Sequence, residues 1–268
     1  RTITMSLRNI GLLVLALTVL LIPYPNYCAQ NQNPQTTEPK QQAEDDSSDQ
    51  DQLKPIMGYR FIIQGNFSGH GKRITLTEHF LDGRTNQESP KFYQDIDYDE
   101  LVKITYEKEP ISIMTSDDPS VESLLIAKGG QLLGLSYVKN EGDLDGDGRD
   151  EISYVIHAAD WSACNVCIIV GYRNGHWNKL ASFEIHESWL PPLPEFQEQF
   201  DMFGVAGLNS TAGDEETNKK LEKQLLEFPG LITFLSPGEI SVCTWNIGEG
   251  EQKIIKLQEE TPIPLLTE

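Results

Sequence analysis

Carboxylates crowd the stretch from Glu141 to Glu151. Six of them (Glu141, Asp143, Asp145, Asp147, Asp150 and Glu151) share it with a single cation, Arg149. Two like charges about 4 Å apart repel by roughly 4 kcal/mol at an effective dielectric of about 20, so curling them into one loop is unfavourable unless a cation sits among them. Asp143, Asp145 and Asp147 fall at positions 1, 3 and 5 of such a loop. Arg149 offers a backbone carbonyl at position 7, and Glu151 stands at position 9. Calcium takes six to eight oxygens at about 2.3–2.6 Å without strict geometry, and alternate residues of a curled loop can supply them. Gly146 and Gly148 permit the positive φ angles that the curl demands. The competing reading is a solvated acidic turn without a metal.

A helix-flanked EF-hand loop begins in the same way but closes on a bidentate Glu at position 12. Position 12 here is Tyr154, and the flanks Gln131–Val138 and Ile152–Ile156 are rich in apolar and β-branched residues, a composition suited to strands. A loop closed at position 9 between two strands fits instead. That motif, within residues 138–157, resembles the FG-GAP (VCBS-type, integrin-like) calcium-binding repeat of exported bacterial proteins, in which Asp-x-Asp-Gly-Asp-Gly-x-x-Asp/Glu joins two strands. The resemblance covers about a dozen residues. It implies Asp143, Asp145, Asp147 and Glu151 as side-chain ligands of Ca2+, with Arg149 acting through its carbonyl. It also implies a structural role for the ion, and adhesion to or binding of an extracellular protein or glycan. Two alternatives stand beside it: a glycan-acting hydrolase stabilised by the loop, and a lipid-anchored subunit of a surface complex.

A second, uncharged version of the motif lies within residues 60–80. Gly65-Asn66-Phe67-Ser68-Gly69-His70-Gly71-Lys72 runs parallel to Gly142-Asp143-Leu144-Asp145-Gly146-Asp147-Gly148-Arg149, with all three glycines, the apolar second position and the basic seventh position preserved. Asn66, Ser68 and His70 replace the aspartates, and Ile74 replaces Glu151. The expectation is the same strand–loop–strand turn without calcium, with Asn66, Ser68 and the Gly71 backbone satisfying one another or a water.

The elements that must position these loops are strands. Runs at Tyr59–Gln64, Ile74–His79, Leu101–Tyr106, Ile111–Thr115, Ser123–Ala127, Leu132–Val138, Ile152–His157, Cys164–Tyr172 and Trp177–His186 mix β-branched and aromatic residues between turn residues. Asn174-Gly175 predicts a type I′ hairpin. Leu221, Leu225 and Phe228 form an apolar stripe at helical spacing over Glu215–Phe228, with Asp214 as cap and Pro229-Gly230 as stop. Closing strands follow at Leu231–Leu235, Ile240–Trp245 and Lys253–Leu257. The expected fold is mainly β: one antiparallel domain, 55–268, with two strand–loop–strand motifs, the second calcium-binding and the first degenerate, and one C-terminal covering helix. Two motifs are too few to close a propeller. The aromatic residues between Tyr154 and Trp189 read first as core beside the loop, and otherwise as a carbohydrate platform.

Met5 is the candidate initiator, and Arg8 precedes an apolar run, Ile10–Ile22. That run is short of the ~20 residues that span a bilayer, so it predicts a signal peptide, 1–29, and no transmembrane span in the mature chain. Cleavage is expected near Ala29, which gives a secreted or periplasmic protein; Cys28 offers a lipoprotein anchor as the alternative. Residues 30–54 form an acidic and polar linker too poor in apolar side chains to fold. A net charge of −20 argues against nucleic acid and anionic membrane surfaces, which select basic patches. Cys164-Asn165-Val166-Cys167 lacks the helix that a redox pair needs, and a disulfide within it or from it to Cys243 is open. Nucleophile elbows, HExxH helices and phosphate loops are absent from the sequence.

Overall fold

Strict alternation along Ile74–Leu81 decides the first sheet. Every second residue of this strand is buried, the pattern of a strand with one face on a core. The computed structural model describes residues 53–94, 96, 98–159, 163–193, 196–200, 206–208, 215–246, 248–258 and 261–263. The expected export segment 1–29, most of the linker 30–54, Trp161 and the Asp214 cap lie outside them.

A short pair, β1 (Pro55–Ile56) and β4 (Phe92–Tyr93), flanks an antiparallel sheet of β2 (Ile62–Gly65), β3 (Ile74–Leu81), β5 (Ile111–Ser116) and β6 (Leu124–Lys128). A second antiparallel sheet runs β7 (Leu132–Gly142), β8 (Glu151–Ala158), β9 (Cys164–Arg173) and β10 (His176–His186), with β16 (Thr261–Pro262) at its edge. Strands β11 (Phe196–Phe200) and β12 (Ala206–Leu208) pair with each other, and β13 (Ile232–Ser236), β14 (Glu239–Asn246) and β15 (Glu249–Lys256) form a third sheet. The protein is mainly β and antiparallel, as its patterning requires.

The second sheet is the middle layer. On one face Leu135, Val138, Ile152, Tyr154, Val170 and Trp177 pack with Ile74, Leu76 and Met114 of the first sheet. On the other, Tyr137, Val155, Ile169 and Leu180 pack with Ile240 and Val242 of the third. Being covered on both faces explains why β7 and β8 read as near-continuous apolar runs rather than alternating ones. Tyr154, Tyr172, Trp177 and Phe183 are buried, so these rings fill the core rather than forming a platform. Arg173 pairs with His176 across Asn174 and Gly175, both at positive φ, as a type I′ turn requires.

Helix α2 (Glu215–Glu227) buries Leu221 and lays Leu225 against both cores, which makes it the expected cover. The run Leu101–Tyr106, read from its β-branched residues as a strand, is instead part of helix α1 (Tyr98–Lys108). Leu101 and Thr105, one turn apart, are the buried positions, while Asp99 and Glu100 in the first turn and Lys108 in the last complement the helix dipole. Among the described residues no helix is long and apolar enough to cross a membrane.

The alternation of β3 also turns Glu78 inward. Its Oε1 lies 2.8 Å from Lys91 Nζ, and both side chains are buried. Phe61 N donates to Oε2 and Leu135 N to Oε1, each at 3.1 Å, and Lys91 Nζ donates to the Tyr59 carbonyl at 2.8 Å. Gly134, at φ +94°, leaves the room: a Cβ there would stand 2.6 Å from Lys91 Cε and 2.7 Å from Glu78 Oε1. Removing one member strands a buried charge, whereas removing both does not. Lys91→Met should therefore cost about 3–5 kcal/mol, and Glu78→Leu combined with Lys91→Met distinctly less. Urea unfolding of the two variants decides it; equal losses would show that the pair is not acting as a buried charge pair.

Candidate metal centre

Strand β7 ends and β8 begins on the paired residues Gly142 and Glu151. Between them the chain curls on its own aspartates. Asp143 accepts from Gly146 N through Oδ1 at 2.7 Å and from Gly148 N through Oδ2 at 3.0 Å. Asp145 Oδ1 accepts from Asp147 N at 3.0 Å, and Asp147 Oδ1 from Arg149 N at 2.9 Å. Gly146 and Gly148 sit at φ +84° and +85°, where a Cβ would meet the neighbouring carbonyl. Leu144 is buried in the core shared by the second and third sheets and anchors the loop from inside.

Carboxylate oxygens of Asp143, Asp145 and Glu151 lie within 4.8 Å of one another. Asp147 stands outside this group: it is exposed and its Oδ2 is 3.0 Å from Arg149 Nη1. Asp150 turns to the neighbouring loop, and half-buried Glu141 turns to Ser153 Oγ at 2.6 Å and Lys139 at 3.6 Å. Glu151 is the deepest member, with no solvent exposure. Its Oε2 accepts from Leu144 N at 2.6 Å, while Oε1 has no hydrogen bond. Burial pushes its carboxyl up to about 8 against that Leu144 bond, and Asp147, Asp143 and Asp150 push the same way. Gly171 on β9 provides its space, since a Cβ there would lie 3.1 Å from Oε1. A fully buried carboxylate with one oxygen lacking a hydrogen bond, clustered with two further carboxylates, is an environment that an oxygen-liganded cation fits.

Sequence reasoning missed Arg173. At the end of β9 its guanidinium reaches into the same cluster: Nη2 contacts Asp145 Oδ2, Nε lies 3.7 Å from Asp147 Oδ2, and Nη2 lies 3.8 Å from Glu151 Oε1. The signal was present in part. Asn174-Gly175 fixes the end of β9, but placing Arg173 beside the loop also requires the β8–β9 register, which pairs Ile152 with Val170.

The sister loop has the expected shape. Gly65 and Ile74 close it as Gly142 and Glu151 close the acidic one, Gly69 and Gly71 take φ +75° and +69°, and Phe67 is buried like Leu144. Asn66 Oδ1 accepts from Gly71 N at 2.9 Å, the bond Asp143 makes to Gly148. The two loops are joined. Asn66 N donates to Asp150 Oδ2, Asn66 Nδ2 to the Gly148 carbonyl, and Asn140 Nδ2 to both Asp150 Oδ2 and the Gln64 carbonyl, all at 2.8 Å. On the far side the β13–β14 turn touches the acidic loop: Gly238 N donates to the Leu144 carbonyl at 2.9 Å, and a Cβ on Gly146 would lie 3.0 Å from Pro237.

Among the described residues Cys164, Cys167 and Cys243 are free and form no disulfide, neither within the first two nor to Cys243. Cys164 and Cys167 are three apart on β9 and so point to opposite faces, one exposed and one buried; they cannot bridge each other. Comparison of the chain with family models, with curated proteins and with solved structures returns no match in any of the three.

Contact between the loops makes Gly65 the tight point. A Cβ there would stand 2.5 Å from Asn140 Nδ2, 2.7 Å from Asp150 Oδ2 and 2.7 Å from the Phe67 ring. Gly65→Ala should cost about 3 kcal/mol through overpacking and the lost Asp150 bonds. Gly71→Ala meets open space and should cost only the left-handed backbone penalty, about 1–2 kcal/mol. Denaturant midpoints in the reverse order would show that the loops are not held together here.

Proposed function

We propose that the protein is an exported calcium-binding β module in which loop 143–151 holds a structural Ca2+, with Asp143, Asp145 and Glu151 as the inner carboxylates. Asp147 and the Arg149 carbonyl would complete the oxygen set that the FG-GAP resemblance implies. The observation that carries the reading is Glu151: it is fully buried, its Oε1 has no hydrogen bond, and one of its carboxylate oxygens clusters with those of Asp143 and Asp145. A solvated acidic turn would keep its carboxylates in water; this one takes one out of water, which is costly for the ionised form unless a cation compensates. The arrangement of all-oxygen donors, with no Cys or His among them, favours a hard cation over zinc or copper. The ion would act on the fold rather than on a substrate, because the loop is tied by hydrogen bonds to both the sister loop and the β13–β14 turn.

Adhesion or ligand binding follows more readily from the surroundings than hydrolysis does. The hollow between the two loops, about 270 Å³, is lined by Gln64, Gly65, Asn66, Gly71, Arg73, Asn140 and Asp150. Its one carboxylate is already tied by Asn66 N and Asn140 Nδ2. Amide side chains and a guanidinium suit recognition of a polar group on a protein or glycan better than proton transfer.

Thermal unfolding of the chelator-treated protein, with and without added calcium, tests the site. At roughly a hundredfold excess over the dissociation constant, calcium should add about 2.7 kcal/mol of stability. Glu151→Gln keeps the size of the side chain and its bond to Leu144 N but removes the charge, so the calcium-induced rise should vanish in it, as it should in Asp145→Ala. No rise in the unmutated protein up to millimolar calcium would sink the reading.

A further inference from the structure

We infer that Arg173 is an internal competitor for the calcium site, whose guanidinium occupies the carboxylates when the ion is absent and must leave for the ion to bind. The inference rests on the calcium reading above and concerns a residue outside the loop. Arg173 belongs to β9, yet it contacts Asp145 Oδ2 and lies within 3.8 Å of Asp147 and Glu151 oxygens. It thus reaches two of the three clustered carboxylates, Asp145 and Glu151, the latter at the oxygen that no hydrogen bond satisfies. Arg149 is placed differently. It lies along the outer side of the loop, on Asp147 Oδ2 and the Ser68 carbonyl, and can stay there with the inner carboxylates occupied.

Two cations cannot share the Asp145 oxygen. A divalent ion coordinated there would face the guanidinium at contact distance in a half-buried site, where repulsion between like charges is strong. The backbone of Arg173 is held independently of its side chain. It pairs with His176 across the type I′ turn, and its carbonyl accepts from buried Asn178 Nδ2 at 3.2 Å. The guanidinium can therefore withdraw without loss of the strand. In the calcium-free protein it offsets part of the repulsion within the loop and keeps the curl assembled. In the presence of calcium, the Arg173-occupied state lowers the apparent affinity in proportion to its population.

Calorimetric titration of the chelator-treated full chain with CaCl2, for wild type, Arg173→Gln and Arg173→Lys, tests this. Arg173→Gln should bind calcium at least about tenfold more tightly than wild type, with Arg173→Lys in between, because an ammonium keeps the charge but loses the fork geometry. In parallel, the Nε–H resonance of Arg173 should shift to that of a solvated arginine on calcium addition to the wild type, while that of Arg149 does not. Calcium binding by wild type with equal or weaker affinity in Arg173→Gln, or an Arg173 resonance unmoved at saturation, overturns the inference and leaves the calcium site standing. Binding by Arg173→Gln but not by wild type supports the inference and shows that the native loop is closed by arginine rather than by metal. Binding by neither overturns both.

Discussion

Confinement of negative charge is the constraint around which the loop region is built. Asp143, Asp145, Asp147, Asp150 and Glu151 lie within nine consecutive residues, and Glu151 among them is buried. The fold answers with three kinds of partner. Backbone amides of Leu144, Gly146, Asp147, Gly148 and Arg149 point at the carboxylates, each a partial positive charge fixed in place. Asn66 N and Asn140 Nδ2 absorb Asp150. Two guanidiniums, Arg149 and Arg173, approach from opposite origins, one in the loop and one in β9. Five carboxyl groups face two arginines, and the Oε1 of Glu151, whose pKa burial raises, accepts no hydrogen bond.

Shape and charge are separable here, because the molecule contains both versions of the loop. Loop 65–74 makes the same curl with the same closing pair, the same positive-φ glycines and the same bond from its last glycine amide to its first polar side chain. It does so with Asn66 where the other loop has Asp143. An Asx-type turn needs only a short side-chain oxygen, and an amide supplies that as well as a carboxylate. The curl therefore does not require Asp143, Asp145, Asp147 and Glu151 to be acids. A buried glutamate at position 9 costs stability in the apo loop, whereas Ile74 at the same position is fully buried in the core of the sister loop at no such cost. The acidic set is thus better explained by what it can hold than by the fold it adopts.

Local patterning carried most of the architecture. Strand runs bounded by glycine or proline fell where sheets formed, and the Asn-Gly pair at 174–175 fixed a hairpin to the residue, since both positions need positive φ and these residues tolerate it. The sister loop was legible through its three glycines together with its apolar second and basic seventh positions. Where reading failed, the missing information was tertiary. Val102, Ile104 and Thr105 carry strand-like side chains, but Leu101 and Thr105 point into the structure from one helical face, and context overrode propensity. Glu78 and Lys91 look like surface charges in sequence; only the alternation of β3 and the approach of Gly134 bring them together in the interior. Arg173 escaped notice for the same reason, because its distance from Asp145 along the chain hides a contact that only the β8–β9 register creates.

Position gives the loop its leverage. Leu144 carries four links at once: its amide donates to Glu151, its carbonyl accepts from Gly238, its side chain lies in the core between the second and third sheets, and its neighbours Asp143 and Asp145 are inner carboxylates. On the other side, Asp150 and Gly148 are bonded to Asn66, whose loop joins two strands of the first sheet. An ion that fixes Asp143, Asp145 and Glu151 relative to one another would therefore also reinforce the hydrogen bonds that join the hairpin tips of three sheets. Were the loop a free appendage, its ordering would add stability only to itself. Because it is wedged between the sister loop and the β13–β14 turn, the Arg173 guanidinium that reaches its carboxylates acts at a joint between layers, and a cation bound in its place would act on the same joint.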